Sequence, residues 1–175
     1  SLIARKKLVE ASTKGLLAQS AMIAHGRGEA FDYLLGEITS DSAKLAIREV
    51  AYRLINSESV IISVNGNTTV LAGKKLIRIA AVLNCPIEIN LYYRTEERVQ
   101  KLFYSLENDK KIVSKESSPN GWTGDWSKSV LSVKILGNEA DGRIIGLDGP
   151  RAICSKEGIE KSKTVLVPLE DGDRC

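Results

Sequence analysis

The chain has 175 residues, 43% hydrophobic and 27% charged, with 25 basic against 22 acidic side chains and a net charge of +3. That suits one domain with a sizeable core; the balance is too mild, and too free of a basic stripe interleaved with aromatics, for a nucleic-acid partner. No apolar run approaches a membrane span and no signal-peptide pattern opens the chain, so no membrane partner is expected and a small-molecule anion is the natural ligand.

Residues 2–17 space Leu2, Ile3, Leu8, Val9, Leu16 and Leu17 as one helix, with Arg5, Lys6 and Lys7 on or beside its polar face. Next comes HGRGEAFDYLL, read as a glycine–arginine loop over 26–28 followed by a short helix that ends at Gly36. A stronger helix is expected over 40–58, capped by Ser40 or Asp41, with Leu45, Ile47, Val50, Leu54 and Ile55 in its stripe. The period then changes. SVIISVNGN (59–67) has the β-branched run of a buried parallel strand; 73–84 reads as helix, 86–93 as strand, and 94–108 as a helix with a threonine cap. A polar excursion over about 109–132 holds Trp122 and Trp126, read as packing on a partner subunit; it overlaps a strand over 129–136, a loop-like stretch from Gly137 to Ser155 follows, and 164–169 forms the last strand. The β-α-β-α order implies a mostly parallel sheet with right-handed crossovers, residues 58–175, preceded by a helical segment over 1–57.

Only one histidine is present and Cys85, Cys154 and Cys175 stand far apart, which leaves no zinc spacing and no Ser/His/Asp triad. Three distant cysteines read as reduced intracellular thiols, with Cys85 and Cys154 filling small apolar sites. Chemistry must rest on arginines, lysines, carboxylates, amides and Mg²⁺. Asn65-Gly66-Asn67 ends a strand where the crevice of an open α/β sheet lies, and its amides suit an anion. GNTTVLAGKK misses the Walker spacing, and GRGEAF misses the dinucleotide fingerprint. Arg27 before a helix start still joins a guanidinium to amides and a helix dipole. His25 beside it reads as a hydrogen-bonded structural histidine. The PLEDGDR run places Asp171, Gly172, Asp173 and Arg174 at another strand end, a combination suited to Mg²⁺ plus phosphate, and Arg94 stands at a third. Together these residues suggest a multiply phosphorylated ligand such as a nucleotide.

The strings LIARKKLVE, GLLAQSAMIAHGRGEAFDYLLGE, ISVNGNTTVL, IEINLYYRTEERV, GLDGPRAICSKEGI and VLVPLEDGDR resemble the archaeal 4-phosphopantoate–β-alanine ligases, or phosphopantothenate synthetases, over nearly the whole chain except about 109–132. The resemblance implies a cytoplasmic, homodimeric enzyme of coenzyme A biosynthesis with a Rossmann-like three-layer α/β/α fold. It implies condensation of 4-phosphopantoate with β-alanine, with ATP split to AMP and pyrophosphate through an acyl-adenylate. By motif, Arg5, Arg27 and Asp171 to Arg174 resemble ATP contacts, with Asp171 and Asp173 as the Mg²⁺ carboxylates. Asn65, Gly66, Asn67 and Arg94 are the expected substrate contacts, and Arg27, Glu29 and Lys156 the expected catalytic groups. Glu29 or Asp32 would take the proton from the β-alanine ammonium. Members of that family continue past the DGDR motif into a further helix and strand, so the resemblance implies a C-terminal segment that residues 1–175 do not include. The competing reading is a non-catalytic module that binds a nucleotide or phosphorylated metabolite.

Overall fold

The structure is a computed structural model that describes residues 1–168. Its centre is a four-stranded parallel sheet of β1 (Val60–Val64), β2 (Ile87–Ile89), β3 (Ile135–Leu136) and β6 (Thr164–Leu166), in the order β3-β2-β1-β6. In register, Val64 lies opposite Ile89 on one side of β1, and Ile62 opposite Leu166 on the other. Helix α4 (Gly66–Leu83) links β1 to β2, and α5 (Glu96–Val113) leaves β2 towards β3. Both crossovers step the same way, so both helices cover one face. This is the Rossmann-like α/β arrangement expected from the sequence.

Strand alternation sorts the side chains between the two faces. Ile62, Val64, Ile87 and Ile89 turn towards the helices and join Leu76, Ile77, Leu102 and Leu106 in the main core. The helices approach closely because Gly73 has no side chain; a Cβ there would stand 2.7 Å from Asp109 Oδ2. Burial in this contact pushes the Asp109 carboxyl above its usual range, with Lys74 opposing.

Ile61, Ser63 and Glu88 belong to the second face. Among the described residues it is covered by the crossover from β3 to β6. This carries a two-stranded antiparallel ribbon, β4 (Gly142–Arg143) with β5 (Ile153–Cys154), and a 3₁₀ turn at Gly149–Ala152. Glu88 fastens it. Its fully buried carboxylate accepts from the Ser155 amide at 3.0 Å and the Ile159 amide at 2.7 Å. Gly158 sits so close that a Cβ would fall 1.8 Å from Glu88 Oε2.

The N-terminal helices are α1 (Leu2–Thr13), α2 (Ala21–Leu34) and α3 (Asp41–Asn56). Leu8, Ala11 and Leu17 form a small second core against Val70 and Leu71 of α4. No helix among the described residues is long and apolar enough to cross a membrane.

Five local expectations are corrected. The Gly26-Arg27-Gly28 loop is the interior of α2, neither glycine having a positive φ, because the turns on both sides are good helix formers. The first helix stops at Thr13, since the chain turns through Gly15 at φ +72°. The strand expected over 129–136 is confined to β3 at Ile135–Leu136, and its first three residues close α6 (Trp126–Leu131), where Asp125 accepts from the Lys128 amide and Trp126 and Val130 are buried one turn apart. Trp122 and Trp126 meet each other, ring centroids 5.5 Å apart, and Trp126 lies under Arg78 of α4. Finally, α5 runs on to Val113, which shortens the polar excursion, and the stretch expected to be all loop contains the β4–β5 ribbon.

Candidate functional site

At the carboxyl end of β1 the chain turns directly into α4. Asn65 makes that turn: its Oδ1 accepts from the Thr68 amide at 2.9 Å, satisfying one of the orphan donors of the helix start. The Thr68 hydroxyl lies 3.0 Å from Asn65 Oδ1 and 3.1 Å from the Pro168 carbonyl, which ties the end of β6 to the same point. Asn67 Nδ2 donates to the Ala21 carbonyl at 3.0 Å and so fixes the start of α2 against the start of α4. Gly66 is needed here for space: a Cβ would press within 2.9 Å of Leu17 and 3.1 Å of the Leu16 carbonyl.

The result is a cleft of about 360 Å³ at the carboxyl edge of the sheet. Its floor is Asn65–Asn67, one wall is Leu16–Ala18 with the Ile23–Arg27 face of α2, and the other is Leu91–Tyr93 with Arg98. The cleft lies beyond the carboxyl ends of β1 and β2, the edge of an open α/β sheet at which ligands are taken. Two cations, Arg27 and Arg98, face a helix start whose Gly66 and Asn67 amides have no partner among the described residues. Guanidinium groups, amides and the α4 dipole all favour an anion there, while Leu16, Ile23 and Tyr92 supply apolar surface for an organic body.

Of the residues singled out in the sequence, the cleft brings together Arg27, Asn65, Gly66 and Asn67. It does not bring in Glu29 or Arg5. Two residues along a helix turn a side chain by more than half a circle, so Glu29 points to α1 while Arg27 points to the cleft. Glu29 is 8% exposed and accepts from Arg5 Nη1 at 2.8 Å, Ser1 Oγ at 3.2 Å and Tyr33 Oη at 3.3 Å. Burial alone would raise its carboxyl, but the hydrogen bonds from Arg5, Ser1 and Tyr33 prevail and hold it below the usual range. Arg94 lines a separate cavity of about 330 Å³ with Asn138 and Ile153, where it donates to the Gly137 carbonyl. Burial lowers the Arg94 pKa, and Glu88 opposes that. Lys156 is exposed on the crossover, its amide donating to Asp141 Oδ1 at 3.0 Å. Asp32 is exposed on α2. Asp171, Gly172, Asp173 and Arg174 lie outside the described residues.

Seven buried side-chain polar atoms among the described residues have no hydrogen-bond partner. Two are the indole nitrogens of Trp122 and Trp126. The other five, on His25, Asn67, Asn90, Arg94 and Arg98, come from the three segments that build the cleft or flank it. Buried polar groups are nearly always satisfied, so the two of these that line the cleft, on Asn67 and Arg98, suit it to meet another polar molecule. Arg98 escaped the sequence reading. It left one signal: a cation in the first turn of a helix opposes its dipole, against the Glu96–Glu97 pair beside it.

Residues 42–175 match the family described as phosphopantothenate/pantothenate synthetase. The chain is 42% identical over 174 residues to a 4-phosphopantoate–β-alanine ligase of Thermococcus kodakarensis, covering 99% of this chain and 59% of that protein. It is 40% identical over 174 residues to the enzyme of that name in Thermococcus onnurineus, covering 99% of this chain and 59% of that protein. With the Methanospirillum hungatei ligase it shares 38% identity over 175 residues, which are 100% of this chain and 63% of that protein. The chain thus spans about three fifths of the length of the curated relatives it matches. A cleft with anion-binding character at the β1–α4 turn and a family match that runs through it agree: the chain belongs to the phosphopantothenate/pantothenate synthetase family.

Proposed function

We propose that the protein is an ATP-dependent acid–amine ligase. It would join 4-phosphopantoate to β-alanine, forming 4′-phosphopantothenate with AMP and pyrophosphate, in the cytoplasmic synthesis of coenzyme A. The observation that carries this reading is the cleft itself, where two arginines face the Gly66 and Asn67 amides, which have no partner among the described residues. The names of the relatives supply the substrate pair.

The substrate carboxylate is already ionised at neutral pH, so adenylation at the ATP α-phosphorus needs alignment and charge stabilisation more than a base. Arg27 and Arg98 supply the cationic walls for the phosphates, and the Gly66 and Asn67 amides supply directed donors. Glu29 holds Arg5 in place and is a poor base, since three donors already occupy it. Lys156, Arg94 and Asp171 to Arg174 remain proposed contributors to catalysis, substrate and nucleotide binding. Among the described residues no group of three or more His, Cys, Asp or Glu side chains converges on one point. Mg²⁺ does not demand one, because it takes one or two carboxylates and keeps its waters. Asp171 and Asp173 are the carboxylates proposed for it, and bound there it would offset phosphate charge.

The proposed homodimer has a candidate surface in α3, whose Leu45, Tyr52 and Ile55 stand exposed. The test of the ligase is direct. Full-length protein incubated with ATP, Mg²⁺, 4-phosphopantoate and β-alanine is expected to release AMP and phosphopantothenate, read by mass spectrometry. ATP bound without turnover would instead support the non-catalytic binding module. Arg27→Ala is expected to cut turnover by roughly a hundredfold or more, while the melting temperature stays nearly constant because an exposed charge adds little to folding. Equal losses in both would remove Arg27 from the mechanism.

A further inference from the structure

The cavity that holds Arg94 lies beside the cleft on the same edge of the sheet. Arg94 and Glu96 follow β2, and Asn138 and Glu139 follow β3, so the cavity stands beyond the carboxyl ends of β2 and β3 as the cleft does beyond those of β1 and β2. One stretch of chain divides the two: Tyr92, Tyr93 and Arg98 line the cleft, whereas Arg94, Glu96 and Gln100 line the cavity. Gln100 Nε2 donates to Asn138 Oδ1 at 3.1 Å and joins this wall to the turn after β3. That turn is left-handed at Gly137, φ +105°, and again at Ala140, φ +52°. A non-glycine residue in that region stores strain, which persists only where the surroundings fix it.

The cavity carries charge of both signs. Arg94 is its half-buried cation: Nη2 donates to the Gly137 carbonyl, which fixes the plane of the guanidinium, and Nη1 has no partner among the described residues. No described carboxylate forms a salt bridge with it. Glu88, the buried carboxylate nearby, already accepts two backbone amides. Glu96 and Glu139 are exposed on the lining, and neither has an ion partner among the described residues. A simple anion drawn to Arg94 would be repelled by two carboxylates, and a simple cation would meet the reverse. A small zwitterion satisfies both, its carboxylate on the planar fork of Arg94 and its ammonium towards Glu96 and Glu139. Val99 and Ile153 offer apolar surface to the methylenes between.

We propose that the Arg94 cavity is an amino-acid site, which holds the carboxylate of a small zwitterion on Arg94 and its ammonium at Glu96 and Glu139. The identity of the zwitterion rests on the ligase reading above, which makes it β-alanine. The two phosphorylated substrates then belong to the neighbouring cleft. An amine without a carboxylate is rejected, because it leaves the half-buried guanidinium unpaired.

The experiment compares full-length wild-type protein with Arg94→Gln and with the double variant Glu96→Gln/Glu139→Gln. KM is measured for each of the three substrates with the others saturating, and β-alanine binding is followed by calorimetry. Arg94→Gln is expected to raise KM for β-alanine roughly 10- to 100-fold, with KM for ATP and 4-phosphopantoate unchanged. The double variant is expected to raise the same KM by a smaller factor, since its carboxylates are exposed, and it carries the test alone should Arg94→Gln not fold. Propionate, which lacks the ammonium, is expected to compete with β-alanine in the wild type and in the double variant, and to lose that inhibition in Arg94→Gln. An unchanged KM for β-alanine in both variants, or an equal rise in all three KM values, would overturn the proposal while the ligase reading stands. Wild-type protein that forms no phosphopantothenate would end the ligase reading. Binding of β-alanine that depends on Arg94 would then still uphold the site, and its absence would end both.

Discussion

Helices α3 and α4 look alike in the sequence and meet opposite fates. Each is amphipathic and capped at its start, by Ser40 in one and Asn65 in the other. α4 buries Leu76, Ile77, Ala80 and Ala81 along its stripe, beneath α5 and over the sheet. In α3 only Leu54 is buried; Leu45 is 64% and Ile55 72% exposed. A helical period states that a face is made to be covered. It does not state what covers it. The chain's own sheet covers α4, whereas among the described residues α3 is covered only at Leu54.

The sharpest way to break this contrast is truncation on both helices. Ile77→Ala is expected to cost about 2–5 kcal/mol in denaturant titration, since it opens a cavity at a fully buried site. Leu45→Ala in dilute protein is expected to cost less than about 0.5 kcal/mol. A penalty for Leu45→Ala that grows with protein concentration would show that a second copy covers α3. Gly73→Ala tests how closely α4 must be covered. The added methyl meets Asp109, and a loss of about 1–3 kcal/mol is expected. The smallest effect concerns the Asp109 carboxyl. Its folded pKa is raised, so the native state holds its proton longer than the unfolded chain does. Stability from this group therefore falls as pH rises from the ordinary carboxylate range to the folded pKa, and the penalty persists above it. Asp109→Asn is expected to flatten that slope and to be slightly stabilising at neutral pH, read from melting temperatures between acid and neutral buffers.

Most of the scaffold was legible in the sequence, for identifiable reasons. The runs at 60–64 and 87–89 carry the apolar signature of strands buried on both faces, and Thr95 caps α5 as its sequence context implies. The failures were tertiary or local. Two glycines around Arg27 read as a loop, yet their cost of about 2 kcal/mol in helix propensity yielded to the continuous helix around them. SVLSVKIL alternates well enough for a strand, but the Asp125 cap and the burial of Trp126 and Val130 on one helical face made its first three residues helical. At the site, Arg27 and Asn65–Asn67 were visible because glycine and asparagine at a strand end carry a backbone meaning. Arg98 was invisible because tertiary packing, not spacing, brings it to the cleft. The separation of Glu29 from Arg27 could have been foreseen once both were placed on one helix.

Glu88 has a dynamic consequence. One carboxylate holds two amide protons, those of Ser155 and Ile159, and Gly158 leaves no slack between them. In native-state hydrogen exchange those two amides should therefore report a single opening event with one free energy. The crossover over the second face would then lift as one cooperative piece instead of fraying loop by loop.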